Sequence, residues 1–380
     1  MSNYAAEADQ AAAAGRLPAA VELLEKACEA EPGDLSLWLR LGALRRATGQ
    51  PAKALEAVNR ALALSEFDFM ALTMKASLTE VLAPERAGEA WARAIVQRPD
   101  GDLPPQVSQA LARGEVLKDR WIAGREEKLV SATASLAGKA SAEEAERIDR
   151  FRSNVLRKTR VYYSEPTHFA FPGLVTREFH PRSEHPWLEE LEAATDMIAA
   201  EMEAAMASER AELVPYIQYA RHEAMGQWRD LNQNRDWTAI HLIRNGEVIA
   251  GNAQHCPRTM ALLERFPQPD IPKAGPNAMF SLLAPHTRIP PHVGVSNARL
   301  VCHLPLIVPA GCWFRVGAET REWKRGEAFI FDDTVEHEAM NPTDELRIVF
   351  IIDVWHPGLS EVEREAVRQV IAAEGGSGSP

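Results

Sequence analysis

The stretch WKRGEAFIFDDTVEHEAMNPTDELRIVFIIDVWHP, residues 323–357, decides the fold. Within it EAFIF and LRIVFIIDV have the length and composition of strands, and KRG and NPTDE between them are turn signals. The run RIVFIIDVW is far too short to cross a bilayer and reads as a buried strand. Upstream, ARLVCHLPLIVP (298–309) and CWFRV (312–316) repeat the pattern on either side of the turn PAG. Antiparallel strands of this length and spacing fit a double-sheet jelly roll, with Gly311, Gly317 and Gly326 as turn residues.

Three residues in this region carry chemistry. His292 lies in PPHVGVSN (290–297), His337 in VEHE (335–338), and Arg347 follows ten residues after His337. The two histidines are 45 positions apart, which excludes a local helical metal motif and requires two strands to converge. Iron(II) suits imidazole ligands that leave positions open for a keto acid and oxygen. The planar, permanently charged fork of Arg347 suits a carboxylate. Cys302 and Cys312 sit in strand-like sequence and read as small core residues.

These stretches, with HLPLIVPAGCWFRVG (303–317), resemble the aspartyl/asparaginyl β-hydroxylase family of Fe(II)- and 2-oxoglutarate-dependent oxygenases. The likeness extends more loosely back to about Phe169 through FAFPGL, NRDWTAIHLIRNG and CPRTMALLERFP. It implies a double-stranded β-helix, Fe(II) held by His292 and His337, and 2-oxoglutarate as cosubstrate. It further implies that Arg347 and Ser281 bind the distal carboxylate, that His303 meets the keto-acid end, and that Trp237 lines the pocket. O2 and an aspartyl or asparaginyl residue of a peptide or protein would be the other reactants. Most oxygenases of this mechanism add a carboxylate two residues after the first histidine; this chain has Gly294 there, and the family resembles it in lacking that acid. Asp332 and Asp333 are expected to orient the ligand histidines or to form a turn. Several family members carry arginine at the place of Val301, and Arg299, on the same strand face, is expected to replace it in part. His356 reads as structural. A free amino acid or a lipid acyl chain stays open as substrate, and so does a non-catalytic reading in which a repeat scaffold has kept the fold without turnover.

The first hundred residues are alanine-rich and self-similar. A shift of 34 pairs Gly15 with Gly49, Ala20 with Ala54, Ala27 with Ala61 and Asp34 with Asp68; a shift of 33 pairs Ala54 with Ala87 and Ala61 with Ala94. That period belongs to tetratricopeptide repeats, and Trp38, Leu41 and Gly42 meet the motif's needs in a first helix. The whole therefore reads as α+β and multidomain. An all-α repeat solenoid is expected over 1–101, a helical capping and connecting segment over 102–160 with a capping box at Ser141 and Glu144, the oxygenase domain over 161–374 and a disordered tail over 375–380. Residues 185–206 read as one amphipathic helix. The repeats are expected to recruit the peptide or protein substrate.

The formal net charge of -12 gives no field to hold a polyanion, so nucleic acid is not an expected partner. Neither a secretory signal nor stable membrane insertion is expected from the apolar runs. The four cysteines show no paired spacing, which suits a reducing cytoplasm.

Overall fold

The computed structural model describes residues 4–208, 213–220 and 225–375. It divides into two compact units, Met1–Leu156 and Arg157–Pro380.

The first unit opens with three helix pairs: α1 (Tyr4–Ala13) and α2 (Leu17–Ala30), α3 (Leu35–Ala47) and α4 (Pro51–Leu64), α5 (Phe69–Leu82) and α6 (Ala87–Val96). The positions equated by the repeat have matching physical jobs. Asp34 and Asp68 are the N-caps of α3 and α5, each accepting backbone N–H groups of the first turn. Gly15 and Gly49 take φ of 72° and 74° in the tight turns within pairs, a conformation that favours glycine. Ala20, Ala54, Ala61 and Ala94 are fully buried, because a helix can approach its neighbour closely only where side chains stop at Cβ.

The long helix α7 (Pro105–Thr133) packs on α6 through a reciprocal exchange of glycine and tryptophan. Gly114 of α7 lies against the ring of Trp91, and Gly88 of α6 lies against Trp121. Trp91 is fully buried and its indole N–H donates to Glu80 at 2.8 Å. Helix α8 (Ala142–Val155) begins with the capping box of Ser141 and Glu144.

The second unit is built on two antiparallel sheets. In chain order it contains β1 (Phe179–His180), α9 (Leu188–Ala193), α10 (Thr195–Ala207), β2 (Val214–Pro215), β3 (Trp237–Arg244), β4 (Glu247–Val248), α11 (Ala250–Ala253), α12 (Pro257–Leu263) and β5 (Ala278–Leu283). There follow β6 (Thr287–His292), β7 (Arg299–Ile307), β8 (Trp313–Val316), β9 (Glu319–Glu322), β10 (Phe329–Phe331), β11 (His337–Asn341), β12 (Arg347–Trp355) and α13 (Glu361–Ala373). The larger sheet runs β1-β10-β7-β12-β5-β3-β2, with β4 paired to β3; the smaller runs β6-β11-β8-β9. The expected single helix over 185–206 is instead α9 and α10, broken at Ala194, where the Thr195 hydroxyl donates to the Glu192 carbonyl at 2.6 Å. Of the tail, residues 376–380 lie outside the described residues.

Alternation along β7 sorts two cores. Leu300, Cys302, Leu304 and Leu306 join the core that includes α9, α10 and α12, while Val301 joins the core shared by the two sheets. Every residue of β12 is buried, because this strand is paired on both sides, with β5 and β7. Among the described residues no helix is long and apolar enough to cross a membrane.

The glycine-tryptophan exchange sets the first prediction. A Cβ at Gly114 would stand 2.4 Å from Trp91 ring atoms that have no room to retreat. Gly114→Ala is expected to destabilise the helical unit by about 1–3 kcal/mol through overpacking, despite alanine's better helix propensity. The check is the unfolding transition of the helical unit followed by far-ultraviolet circular dichroism; an unchanged or raised midpoint would show that α6 and α7 are not in this contact.

Candidate functional site

The sheets enclose a cavity of about 740 Å³. Trp237, Ser281, His292, Arg299, His303, His337 and Arg347, from β3, β5, β6, β7, β11 and β12, all line it.

His292 and His337 are direct partners across β6 and β11, with ring centroids 4.0 Å apart. Register between these strands shifts just past His337, so that Ala339 pairs with Ile289. The extra residue falls on β6 at Pro290 and Pro291, which have no N–H to donate to the ladder and fit where pairing lapses. Nδ1 of His292 lies 2.8 Å from the Pro290 carbonyl, and Nδ1 of His337 lies 3.0 Å from the Val335 carbonyl. A carbonyl only accepts, so each Nδ1 carries the proton and each Nε2 keeps its lone pair. Burial holds His292 down at about 4, and burial together with His292 holds His337 below the usual imidazole range. Two neutral imidazoles side by side with free lone pairs fit a borderline divalent metal. Trp228 stands edge-on to His292 at 5.0 Å, and Phe331 does the same to His337 at 5.3 Å.

Arg347 is placed by the turn before it. The buried Asn341 amide donates to the carbonyls of Leu283, Ala284 and Glu345, so the NPTDE turn is pinned where β12 starts. The guanidinium is 1% exposed, and Trp323 covers it at 4.8 Å. Among the described residues its hydrogen bonds are two long ones, to Ser281 O at 3.4 Å and Ser281 Oγ at 3.5 Å, and Nε has no partner. Burial pushes its pKa down to about 10. Ser281 Oγ also accepts from the Trp237 indole at 3.1 Å, and Trp237 is stacked on Tyr216 at 3.9 Å. His303 sits among Phe314, Phe329 and Phe331, its Nδ1 buried without a partner; burial and then Arg347 lower its pKa.

Arg299 lines the cavity, with Nη1 2.9 Å from Asp353 Oδ1 and Nη2 3.1 Å from Asp333 Oδ2. Any part it takes in place of an arginine at Val301 is therefore shared with two carboxylates of the chain. Asp332 is a turn residue, accepting from the backbone N–H and hydroxyl of Thr334. Asp333 lies beside Gly294: a Cβ on that glycine would meet Asp333 Oδ2 at 2.2 Å. Burial raises the Asp333 carboxyl to about 7 against the pull of Arg299. Thus the space after His292, filled by a carboxylate side chain in the commoner arrangement, here holds a carboxylate arriving from the β10–β11 turn.

Sequence reasoning missed Asp353, Trp323, Trp228 and Tyr216. Asp353 had a readable signal, an acid in an otherwise apolar strand after Arg347. The aromatics had none, because their role depends on which strands pair.

These side chains share one property: two imidazole lone pairs, a guanidinium edge and the Nδ1 of His303 face the cavity or lie buried beside it without a partner among the described residues. The description "Aspartyl/Asparaginyl beta-hydroxylase" matches residues 192–357, and "Tetratricopeptide repeat" matches residues 11–78. Aspartyl/asparaginyl beta-hydroxylase of Mus musculus is 37% identical over 139 residues, 36% of this chain and 19% of that protein. Aspartate beta-hydroxylase domain-containing protein 2 of Xenopus tropicalis is 30% identical over 213 residues, 55% of each. The human counterpart of the latter is 36% identical over 140 residues, 36% of this chain and 38% of that protein. The matched regions thus span at most about half the length of these relatives. The likeness to the aspartyl/asparaginyl β-hydroxylase family thus covers residues 192–357, and the likeness to tetratricopeptide repeats precedes it.

Gly294→Ala should be costly for a reason specific to this cavity. The new methyl group displaces the Asp333 carboxylate and opens its ion pair with Arg299, leaving buried charge uncompensated. A loss of about 3 kcal/mol is expected from denaturant unfolding, well above an ordinary glycine-to-alanine change. Asp333→Ala in the same chain should recover part of that loss by emptying the space; no recovery would mean that the clash lies elsewhere.

Proposed function

We propose that the second unit is an Fe(II)- and 2-oxoglutarate-dependent hydroxylase, its two sheets forming a double-stranded β-helix. The observation that carries this reading is the buried, unpaired Arg347 in the same cavity as the paired imidazoles. A cation at 1% exposure without a counter-ion is expensive, and the ligand that relieves it is an anion. A dicarboxylate with a keto group satisfies both ends of such a cavity, one carboxylate on the guanidinium and the keto-acid end towards the metal.

His292 and His337 would hold the iron through Nε2. When bound, iron with 2-oxoglutarate supplies the oxidation: O2 converts the keto acid to succinate and CO2, giving one oxygen atom to succinate and the other to a substrate C–H bond. The chain's own residues position and exclude. The Pro290 and Val335 carbonyls fix the imidazole tautomers. Arg347, with Ser281 Oγ held by the Trp237 indole, receives the distal carboxylate in a bidentate pair. His303 Nδ1 donates to the keto-acid end, and Phe314, Phe331 and Trp323 keep water from it.

A cavity of about 740 Å³ lies within the range of roughly 300–1,000 Å³ typical of ligand pockets and has room for a substrate residue beside the cosubstrate. By the family likeness, that residue is aspartyl or asparaginyl in a peptide, hydroxylated at its β-carbon. The repeats recruit this peptide, and O2 is the third reactant.

Three outcomes test the reading. His292→Ala or His337→Ala should abolish iron-dependent succinate formation, since each removes one of the two imidazoles that would hold the ion; wild-type turnover by either variant would remove the site assignment. Arg347→Lys keeps the charge but loses the fork, and the 2-oxoglutarate Kd should rise about tenfold. Arg347→Met removes an uncompensated buried charge, so the ligand-free protein should gain at least about 1 kcal/mol while 2-oxoglutarate ceases to raise its Tm. A destabilised Met variant would mean that the guanidinium serves the fold and not a ligand.

A further inference from the structure

The second group of metal-binding side chains lies away from the cavity. Phe179 and His180 form β1, paired with Ile330 and Phe331 of β10. Strand alternation sends Phe179 into the aromatic group with Phe314 and Phe329 and turns His180 to the opposite face. A single turn of 3-10 helix, Arg182–Glu184, then reverses the chain and returns Glu184 and His185 to His180. One donor atom from each of His180, Glu184 and His185 falls within 4.8 Å of the other two. None of the three lines the cavity.

The donors fit an ion in kind and in spacing. His180 Nδ1 stands 3.4 Å from Glu184 Oε2, and tetrahedral bonds of about 2.0–2.2 Å to N and O put neighbouring donors roughly 3.4 Å apart. The other Glu184 oxygen accepts from Arg177 at 2.6 Å, which fixes the carboxylate as an outer partner does in a metal site. His180 and His185 are 7% and 3% exposed, and Nε2 of each is buried with no hydrogen-bond partner. At His185 that nitrogen is free to bind an ion, whereas His180 meets Glu184 through Nδ1, so an ion there leaves its Nε2 as it is. His356 stands edge-on to His180 at 5.2 Å, but its Nδ1 accepts from the Gly358 N–H at 3.0 Å and its Nε2 faces the Val175 carbonyl at 3.4 Å. It forms a wall of the site and is not a donor.

We propose that His180, Glu184 and His185 bind a divalent cation of the zinc class, separate from the His292 and His337 pair, with water in the remaining position. The Glu184 side is a third exposed and gives the ion its entry. The role is structural. A two-residue edge strand has little hold on its sheet, and closing the turn behind it keeps Phe179 against Phe314, the ring that also contacts His303 and His337.

Cobalt(II) absorption in full-length protein tests this directly, because tetrahedral nitrogen and oxygen coordination gives visible bands whether or not the enzyme turns over. His292→Ala/His337→Ala, which lacks the other pair, should still take up about one equivalent of cobalt, with bands that zinc abolishes and a raised Tm on zinc addition. Adding Glu184→Gln or His185→Ala to that background should remove the bands and the zinc-dependent rise. Glu184→Gln, at a partly exposed position, carries the test if His185→Ala does not fold. In the otherwise wild-type chain, Glu184→Gln should lower total cobalt uptake from about two equivalents to about one. The proposal is overturned if the His292→Ala/His337→Ala protein takes up no cobalt, or if its cobalt survives both Glu184→Gln and His185→Ala.

Discussion

A guanidinium buried without a counter-ion is the constraint around which the second unit is organised. Arg347 starts the strand that is paired on both sides from the next residue on, and its own position is fixed by pairing with Leu283 and by the Asn341 amide that pins the preceding turn. Trp323 covers one face of the fork, and Ser281, itself held by Trp237, meets an edge. A protein needing only a stable strand here would do better with methionine or leucine. The cation is tolerated because surrounding packing over-determines it, and that rigidity is what a bidentate contact requires.

Three other charges of the cavity are joined to one another within the chain. Arg299 bridges Asp333 and Asp353, and Asp353 Oδ2 also takes the Asn277 backbone and side-chain N–H groups at 2.9 and 2.8 Å. That network leaves Asp333 Oδ1 unpartnered beside Gly294, in the cavity that the imidazole pair also lines. The missing side chain at 294 and the carboxylate at 333 are therefore one feature: the glycine makes room, and the acid arrives from another strand connection. An aspartate at 294 could not coexist with Asp333 in its present place.

Much of this was legible in the sequence, and the reasons are physical. Strand alternation put Arg299, Val301 and His303 on one face because the period of two holds through β7. The 34-residue shift found caps, turn glycines and buried alanines together because each repeat must solve the same packing problem. Ser141 and Glu144 announced a helix start by local hydrogen bonding alone. What sequence did not yield depends on contacts across long separations. The break at Ala194 rests on one hydroxyl-to-carbonyl bond, the pairing of Arg299 needs β7 beside β12, and the return of Glu184 onto His180 needs a turn too short to carry a periodic signal.

The pairing of Arg299 has a consequence for ligand selection under the proposed reading. Val301 and Arg299 lie two residues apart on one face of β7, opposite Asp353 and Trp355 of β12. An arginine at 301 would point towards the interior aromatic cluster that Val301 now joins. At 299 the same charge is spent on Asp333 and Asp353. The keto-acid end of the cosubstrate is then met by a neutral His303 and the metal, and the distal end by Arg347 with Ser281. Affinity for a dicarboxylate is thereby concentrated on a single guanidinium, whose burial magnifies the contact, and a monocarboxylic keto acid would leave that guanidinium as unsatisfied as it is without ligand. Discrimination between keto acids in this chain is a property of Arg347 far more than of the imidazole pair.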